Sequence, residues 1–139
     1  MNNIKLADFE ISNDKKLILI AGPCVIESES HTLMMAEKIA KICQNLKINF
    51  IYKSSFDKAN RSSINSNRGI NIKEAEKIFD KVKSTFKCPI LTDIHNENQC
   101  EFFSNSNSID ILQIPAFLCR QTDLIVSAAK TNKIINVKK

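Results

Sequence analysis

The chain alternates short continuous apolar runs with longer segments in which apolar residues recur every three or four positions. Residues 17–21 form an apolar run that stops at Gly22 and Pro23. Such a run is typical of a strand buried on both faces, as in a parallel sheet. Between Ser30 and Leu46 the apolar residues fall on one side of a helix because their spacing follows the helical repeat. The pattern therefore predicts a buried strand followed by an amphipathic helix.

The same alternation continues through the rest of the chain. Apolar runs predict further strands at residues 49–53, 89–93, 109–114 and 134–138. Helices are predicted after Asn71, which forms a capping-box-like arrangement with Glu74, near residues 97–103, and from Thr122 or Asp123. Strands that alternate with helices are the signature of βα units, and the crossovers of such units are right-handed. We therefore predict an α/β fold with five parallel strands and four helices.

Unusual residues concentrate in the segments that follow the predicted strands. These segments are residues 24–27, 53–68, 93–95 and 113–121, whereas the connections from helix to strand are short and plain. In a βα barrel the active site lies at the carboxyl ends of the strands. In an open doubly wound sheet it also lies beyond those ends. Either architecture therefore places the candidate chemistry on one face.

Composition limits the class of protein. The chain has 139 residues, 43% of them hydrophobic and 25% charged, and no apolar run approaches the roughly 18 residues of a membrane span. The first five residues lack the apolar core of a signal peptide. We expect one domain over residues 1–139, in the cytoplasm and without membrane contact. The net charge of +5 suggests anionic partners, but the basic residues are dispersed, so we expect small phosphorylated molecules and not nucleic acid.

Cysteine and glycine usage narrows the picture further. Five widely spaced cysteines without a CxxC pair argue against a disulfide framework and a zinc finger. Cys43, Cys88 and Cys100 are best interpreted as small buried hydrophobes, whereas Cys24 lies in a turn after a strand. Only two glycines occur, so each is expected where the backbone requires glycine.

Five motifs occur in an order and spacing that resemble one enzyme family. They are IAGPCVIES (20–28), YKSSFDKANRSS (52–63), TDIH (92–95), LQIPAFLCRQTDL (112–124) and NVKK (136–139). Together they resemble the 3-deoxy-D-manno-octulosonate 8-phosphate synthases. The resemblance implies a (β/α)8 TIM barrel, usually a homotetramer. It also implies a transferase of Kdo and lipopolysaccharide biosynthesis that condenses phosphoenolpyruvate with arabinose 5-phosphate and releases phosphate.

The resemblance also assigns roles to individual residues. It implies that Lys53, Lys58 and Lys138 hold phosphoenolpyruvate, and that Asp93 and His95 lie beside the reacting carbons. Lys138, Asp93 and His95 are accordingly the predicted catalytic residues. The other predicted substrate-binding residues are Ser55, Asn60, Arg61, Ser62 and Gln113. An arginine suits the sugar phosphate because its fork binds two oxygens at once.

Cys24 is the predicted ligand of a divalent metal ion. The resemblance is to the metal-dependent branch of the family, in which the residue at this position is a metal ligand. A thiolate favours a borderline or soft divalent ion such as zinc, iron or manganese. The other ligands in the family, a histidine, a glutamate and an aspartate, belong to later strands than those predicted here.

The length departs from the family pattern. Eight βα units need about 250 residues, with 200 as a practical minimum, whereas this chain has 139. We therefore expect a truncated barrel, the amino-terminal part of the enzyme or the product of a split or incomplete gene, and expect it to be inactive alone.

Two other functions are compatible with the sequence. One is an enzyme like 3-deoxy-D-arabino-heptulosonate 7-phosphate synthase, which takes erythrose 4-phosphate and whose corresponding loop reads Lys-Pro-Arg-Thr-Ser. The stretch from Lys58 to Ser63 favours the octulosonate family instead. The other is a non-catalytic relic that only binds anions or pairs with a related barrel. Arg120 remains open between a contact at the rim of the site and a surface ion pair.

Overall fold

The computed structural model describes residues 3–59 and 68–139. Within these residues the strands are β1 (Ile4–Leu6), β2 (Phe9–Ile11), β3 (Ile18–Ala21), β4 (Asn49–Lys53), β5 (Ile90–Asp93), β6 (Ile111–Ile114) and β7 (Ile134–Val137). The α-helices are α1 (Glu29–Leu46), α2 (Ile72–Phe86), α3 (Glu97–Ser104) and α4 (Thr122–Ala129), and a 3₁₀ turn covers Ala116–Leu118.

Strands β3 to β7 form one parallel sheet in the order of the sequence. A helix follows each of β3, β4, β5 and β6. The predicted α/β fold with five parallel strands and four α-helices is therefore confirmed for the described residues, and it corresponds to part of a (β/α)8 barrel. None of the helices in residues 3–59 and 68–139 is long and apolar enough to cross a membrane.

Side-chain caps define where the first three helices begin. Ser28, Asn71 and Asn96 each accept a hydrogen bond from the backbone N–H three residues later, at 3.1, 2.9 and 3.0 Å. These bonds satisfy amide groups that have no partner inside the helix. The Asn71 side chain also lies 3.3 Å from the Glu74 carboxylate, so the predicted capping arrangement is confirmed.

The inner face of the sheet is built in two layers. Because side chains alternate between faces along a strand, residues two apart share the inner face. One layer is apolar, with Ile51, Leu91 and Ile111 buried together beneath Leu6 of the β1–β2 hairpin. The next layer toward the carboxyl ends contains the polar side chains Lys53, Asp93, Gln113 and Asn136. The side chains on the inner face therefore change from apolar to polar over two residues of each strand.

The outer face of the sheet packs against the helices. Phe50 and Tyr52 of β4 belong to the same buried cluster as Ala36 of α1 and Ile78 and Phe79 of α2. The helical periodicity predicted the apolar faces of these helices. Burial raises the pKa of the Tyr52 hydroxyl to about 12. The predicted burial of Cys43, Cys88 and Cys100 is also confirmed.

Two features of the fold differ from the expectation. The run at residues 17–21 is not buried on both faces: Leu17 is 80% exposed, and Leu19 and Ile20 are exposed as well. The reason is that β3 pairs only with β4 among the described residues, so it lies at an edge of the sheet. The β1–β2 hairpin was not predicted, because strands of three residues are too short to show a clear alternation.

Both glycines lie where a side chain would collide with backbone. A Cβ atom on Gly22 would lie 1.9 Å from the carbonyl oxygen of Lys53. Gly69 has a φ of 121°, and its Cβ would lie 2.0 Å from the carbonyl oxygen of Phe56. The expectation that each glycine is required by the backbone is confirmed. Gly22 allows the turn after β3 to approach the end of β4 closely.

We expect Gly22→Ala to lower the free energy of unfolding by about 1–3 kcal/mol, because the added methyl group forces the ends of β3 and β4 apart. Urea denaturation of the chain measures this change. Lys38→Ala, on the exposed side of α1, is the control and should change stability by less than about 0.5 kcal/mol. A Gly22→Ala variant as stable as this control would contradict the close approach.

Candidate active site

Charged and polar side chains from four strand ends meet in one cavity of about 200 Å³. Its lining includes Lys53 and Lys58 after β4, Asp93 and His95 at β5, Gln113 of β6 and Lys138 after β7, together with Pro115, Ala116 and Phe117. Six of the predicted site residues therefore lie together at the carboxyl ends of the parallel strands. Parallel pairing explains the meeting, because it aligns these ends along one edge of the sheet.

The remaining predicted residues have different outcomes. Ser55 is completely buried and hydrogen-bonds to three side chains that line the cavity. Asn60, Arg61 and Ser62 lie outside the described residues. Arg120 is exposed and is not part of the cavity lining. Cys24 is exposed in the turn after β3.

The cavity favours an anion. Three ammonium groups, those of Lys53, Lys58 and Lys138, line it beside the carboxylate of Asp93. Lys53 Nζ lies 3.6 Å from Asp93 Oδ1, which compensates one positive charge. Burial lowers the pKa of the Lys53 ammonium below its ordinary value; attraction to Asp93 opposes that shift, and repulsion from Lys58 adds to it. A bound anion would relieve this repulsion.

Gln113 is oriented by a neighbour that the sequence analysis did not single out. Asn136 Nδ2 on β7 donates a hydrogen bond of 3.0 Å to Gln113 Oε1. The carbonyl of the Gln113 side chain is thereby engaged, so its amide nitrogen is the donor that can serve a ligand. Asn136 was recognisable only as a member of the NVKK motif, since nothing local indicates its partner.

His95 lies in an aromatic enclosure next to Asp93. Its ring stacks against Phe117 with centroids 6.4 Å apart and meets the edge of Phe56 at 6.3 Å. Nε2 is 3.7 Å from Asp93 Oδ2, while Nδ1 is buried and has no hydrogen-bond partner among the described residues. Burial lowers the pKa of His95, although the Asp93 carboxylate opposes this effect. The ring is therefore neutral near pH 7.

The turn after β3 is fixed to the end of β4. Ile26 N–H donates to the Ser55 carbonyl at 2.9 Å, and Ser54 Oγ donates to the Pro23 carbonyl at 2.9 Å. These contacts hold the segment containing Cys24 beside the cavity. Among residues 3–59 and 68–139, however, no group of three or more His, Cys, Asp or Glu side chains could hold a metal ion.

A larger groove lies elsewhere. It has a volume of about 530 Å³ and is lined by residues from the amino ends of β4 and β5, including Asn49 and Pro89. Its charged groups include Glu37 and Asp8 as well as Lys41. Because carboxylates and ammonium groups both line this groove, it lacks the converging cations that distinguish the smaller cavity.

The fold and the cavity together define a class of protein: a βα half-barrel with a lysine-lined cavity at the carboxyl ends of its strands. Comparison with known sequences narrows the class. The sequence model of the DAHP synthetase I family matches residues 2–139 of this chain. The chain belongs to the DAHP synthetase I family.

The similar curated proteins include enzymes from several Rickettsia species. The chain is 58% identical over 136 residues to the proteins named 2-dehydro-3-deoxyphosphooctonate aldolase of Rickettsia typhi and Rickettsia prowazekii. Its identity to the protein of that name from Rickettsia canadensis is 57%. Each match covers 98% of this chain and 49% of the relative. The chain thus spans about half the length of the curated relatives it matches.

The protonation of His95 provides a test of the cavity. A histidine in the unfolded chain has a pKa of about 6.5, and burial lowers the pKa of His95 in the folded protein. Its contribution to stability is therefore complete above about pH 6.5 and is lost as the pH falls from there. We expect an NMR titration to place its midpoint below 6.5.

His31 is the other histidine, so His31→Gln assigns the ring signal of His95. In urea denaturation, His95→Gln should reduce the loss of stability on acidification. A His95 midpoint at or above 6.5 would contradict the buried, neutral ring.

Proposed function

We propose that this chain is the phosphoenolpyruvate-binding part of an enzyme that condenses phosphoenolpyruvate with D-arabinose 5-phosphate and water. The products are 3-deoxy-D-manno-octulosonate 8-phosphate and phosphate, in Kdo and lipopolysaccharide biosynthesis. The observation that carries the proposal is the meeting of Lys53, Lys58 and Lys138 with Asp93 and His95 in one cavity. The similarity to Rickettsia proteins named 2-dehydro-3-deoxyphosphooctonate aldolase supports the same reaction.

The proposed roles follow from charge. The three lysines hold the carboxylate and phosphate of phosphoenolpyruvate, because ammonium groups bind such oxygens by charge-assisted hydrogen bonds. Asp93 contacts the sugar hydroxyls. The neutral His95 ring has a nitrogen that can accept a proton from water. C3 of phosphoenolpyruvate attacks the aldehyde carbon, water adds at C2, and phosphate leaves.

The proposed sugar site involves the residues that follow Lys58 in sequence. Asn60, Arg61 and Ser62 would bind the sugar and its phosphate, and these residues lie outside the described ranges. The bidentate ion pair of Arg68 with Asp57, at 2.9 and 2.7 Å, supports the assignment because it joins the two sides of this segment. Lys58 N–H also donates to the Arg68 carbonyl at 2.7 Å.

We further propose that turnover needs the part of the barrel that corresponds to the other half of the relatives. Among the described residues β3 pairs only with β4, and β7 only with β6. Apolar side chains at these edges, such as Leu19 and Val137, are exposed. Additional strands on both edges would bury them and would close the cavity. The homotetramer expected of the whole enzyme also remains a proposal.

We expect this chain to release phosphate from phosphoenolpyruvate and arabinose 5-phosphate only when the missing half is supplied. The carboxyl-terminal half of the Rickettsia typhi relative is a suitable supplement. Lys138→Met should lower turnover at least about 100-fold, because it removes a charge at the reacting anion. Lys139→Met is the control, since Lys139 is not part of the cavity lining.

Three outcomes of this assay would contradict the proposal. Turnover by the unsupplemented chain would disprove the need for the other half. Faster phosphate release with erythrose 4-phosphate would favour the heptulosonate alternative, and no release with either sugar would favour a non-catalytic relic.

We propose that a divalent metal of the zinc, iron or manganese type binds beside this cavity with Cys24 as one ligand. Cys24 is exposed and is held near Lys53 by the contacts of Ser54 and Ser55. The described residues do not complete a metal site, so the other ligands would come from the remaining half. A metal held there would supply Lewis-acid chemistry, for orienting the sugar aldehyde or activating water.

We expect Cys24→Ser to weaken metal binding at least about tenfold in the supplemented protein. Cobalt substitution provides a readout independent of activity, because thiolate ligation adds an intense near-ultraviolet absorption band. Cys119→Ser, at another accessible cysteine, is the matched control. Full activity in excess chelator, or an unchanged cobalt spectrum in Cys24→Ser, would contradict this role.

A further inference from the structure

The hydroxyl group of Ser55 stands at the centre of the charged cluster. Lys53 Nζ donates to Ser55 Oγ at 3.1 Å, and Lys58 Nζ donates to the same oxygen at 2.9 Å. Ser55 Oγ in turn donates to Asp93 Oδ1 at 2.6 Å. The residue is completely buried. One oxygen atom therefore connects two cations and an anion from β4, its following turn and β5.

These three bonds use the full capacity of a hydroxyl group. Serine has one O–H donor and two acceptor lone pairs. The donor is engaged by Asp93, and both lone pairs are engaged by the lysines. A substrate oxygen or proton could bond to Ser55 only by displacing one of these partners. The hydroxyl group is thus fully engaged by side chains of the protein, and the direct substrate contact predicted from the sequence stays a prediction.

We infer that Ser55 is a positioning residue: its hydroxyl holds the Lys53 and Lys58 ammonium groups on one side and the Asp93 carboxylate on the other. Without this oxygen, the two cations would lose a shared acceptor and Asp93 would lose its donor. Asp93 would then be free to pair more closely with a lysine and to neutralise the charge offered to an anion. This inference rests on the proposed function for its ligand, phosphoenolpyruvate, but not for its geometry.

The backbone supports the same assignment. Ser55 forms a parallel bridge with Val25, and its carbonyl accepts from Ile26 N–H at 2.9 Å. Thr92 Oγ1 of β5 donates to the Ser54 carbonyl at 2.9 Å. The segment after β4 is therefore anchored to both neighbouring strand ends. The backbone that carries the Ser55 hydroxyl is thus fixed by contacts that do not involve the lysines.

The first test needs no ligand. Hydrogen bonding slows the exchange of ammonium protons with water, so NMR should detect slow exchange at Lys53 and Lys58. We expect Ser55→Ala to accelerate both exchange rates about tenfold or more, since each ammonium group then loses a charge-assisted hydrogen bond to Ser55 Oγ. Lys53→Met and Lys58→Met assign the two signals.

Ser54→Ala is the matched control, because Ser54 is an adjacent and equally buried serine whose hydroxyl donates to the Pro23 carbonyl at 2.9 Å. It should leave the exchange of both ammonium groups unchanged. Exchange that is equal in Ser55→Ala and the wild-type chain would overturn the inference.

The second test measures calorimetrically the affinity of the chain for phosphoenolpyruvate. We expect Ser55→Ala to weaken binding about tenfold and Ser54→Ala to leave it unchanged. In the Lys58→Met background the loss caused by Ser55→Ala should be smaller, because part of its effect acts through Lys58. Losses that multiply fully would indicate a direct substrate contact and would overturn the inference.

The two tests separate this inference from the proposed function. If the wild-type chain bound no phosphoenolpyruvate, the proposed ligand would be wrong, while the exchange rates would still decide the role of Ser55. If phosphoenolpyruvate bound normally to Ser55→Ala with unchanged ammonium exchange, Ser55 would have no positioning role.

Discussion

The in-register pairing of parallel strands is the constraint on which the cavity depends. Asp93 pairs with Gln113 in the sheet, and Gln113 pairs with Asn136. Two residues earlier on the same strands, Leu91, Ile111 and Ile134 form the adjacent apolar layer. A shift of one residue in any strand would turn its polar side chain toward the helices and place an apolar one in the cavity. The polar layer is thus stabilised by the apolar layer beneath it.

Much of the fold could be predicted because its signals are local. The bounds of β4 match the prediction at residues 49–53, and α1 begins one residue before the predicted Ser30. The prediction that residues 17–21 are buried on both faces was wrong, because such burial depends on which strands lie beside β3. The β1–β2 hairpin was missed because Leu6 packs on the apolar layer through a contact that is distant in sequence and leaves no periodic pattern.

The candidate site was predictable in its membership but not in its connections. Motifs identified Lys53, Lys58, Asp93, His95, Gln113 and Lys138, and the structure brings them to one cavity. No local signal could show that Ser55 hydrogen-bonds to three of these six residues. Nor could it show that Phe56 and Phe117 enclose His95. Such contacts link residues far apart in sequence; Ser55 and Asp93, for example, are 38 positions apart. They arise only when the strand ends meet.

The central claim is that this part of the barrel already contains a formed site for phosphoenolpyruvate. A crystal structure of the chain, supplemented with the other half and soaked with phosphoenolpyruvate, tests it most directly. The account predicts that the ligand lies within hydrogen-bond distance of Lys53, Lys58 and Lys138 while Ser55 keeps its bond to Asp93. A ligand bound elsewhere, or lysines directed away from it, would contradict the account.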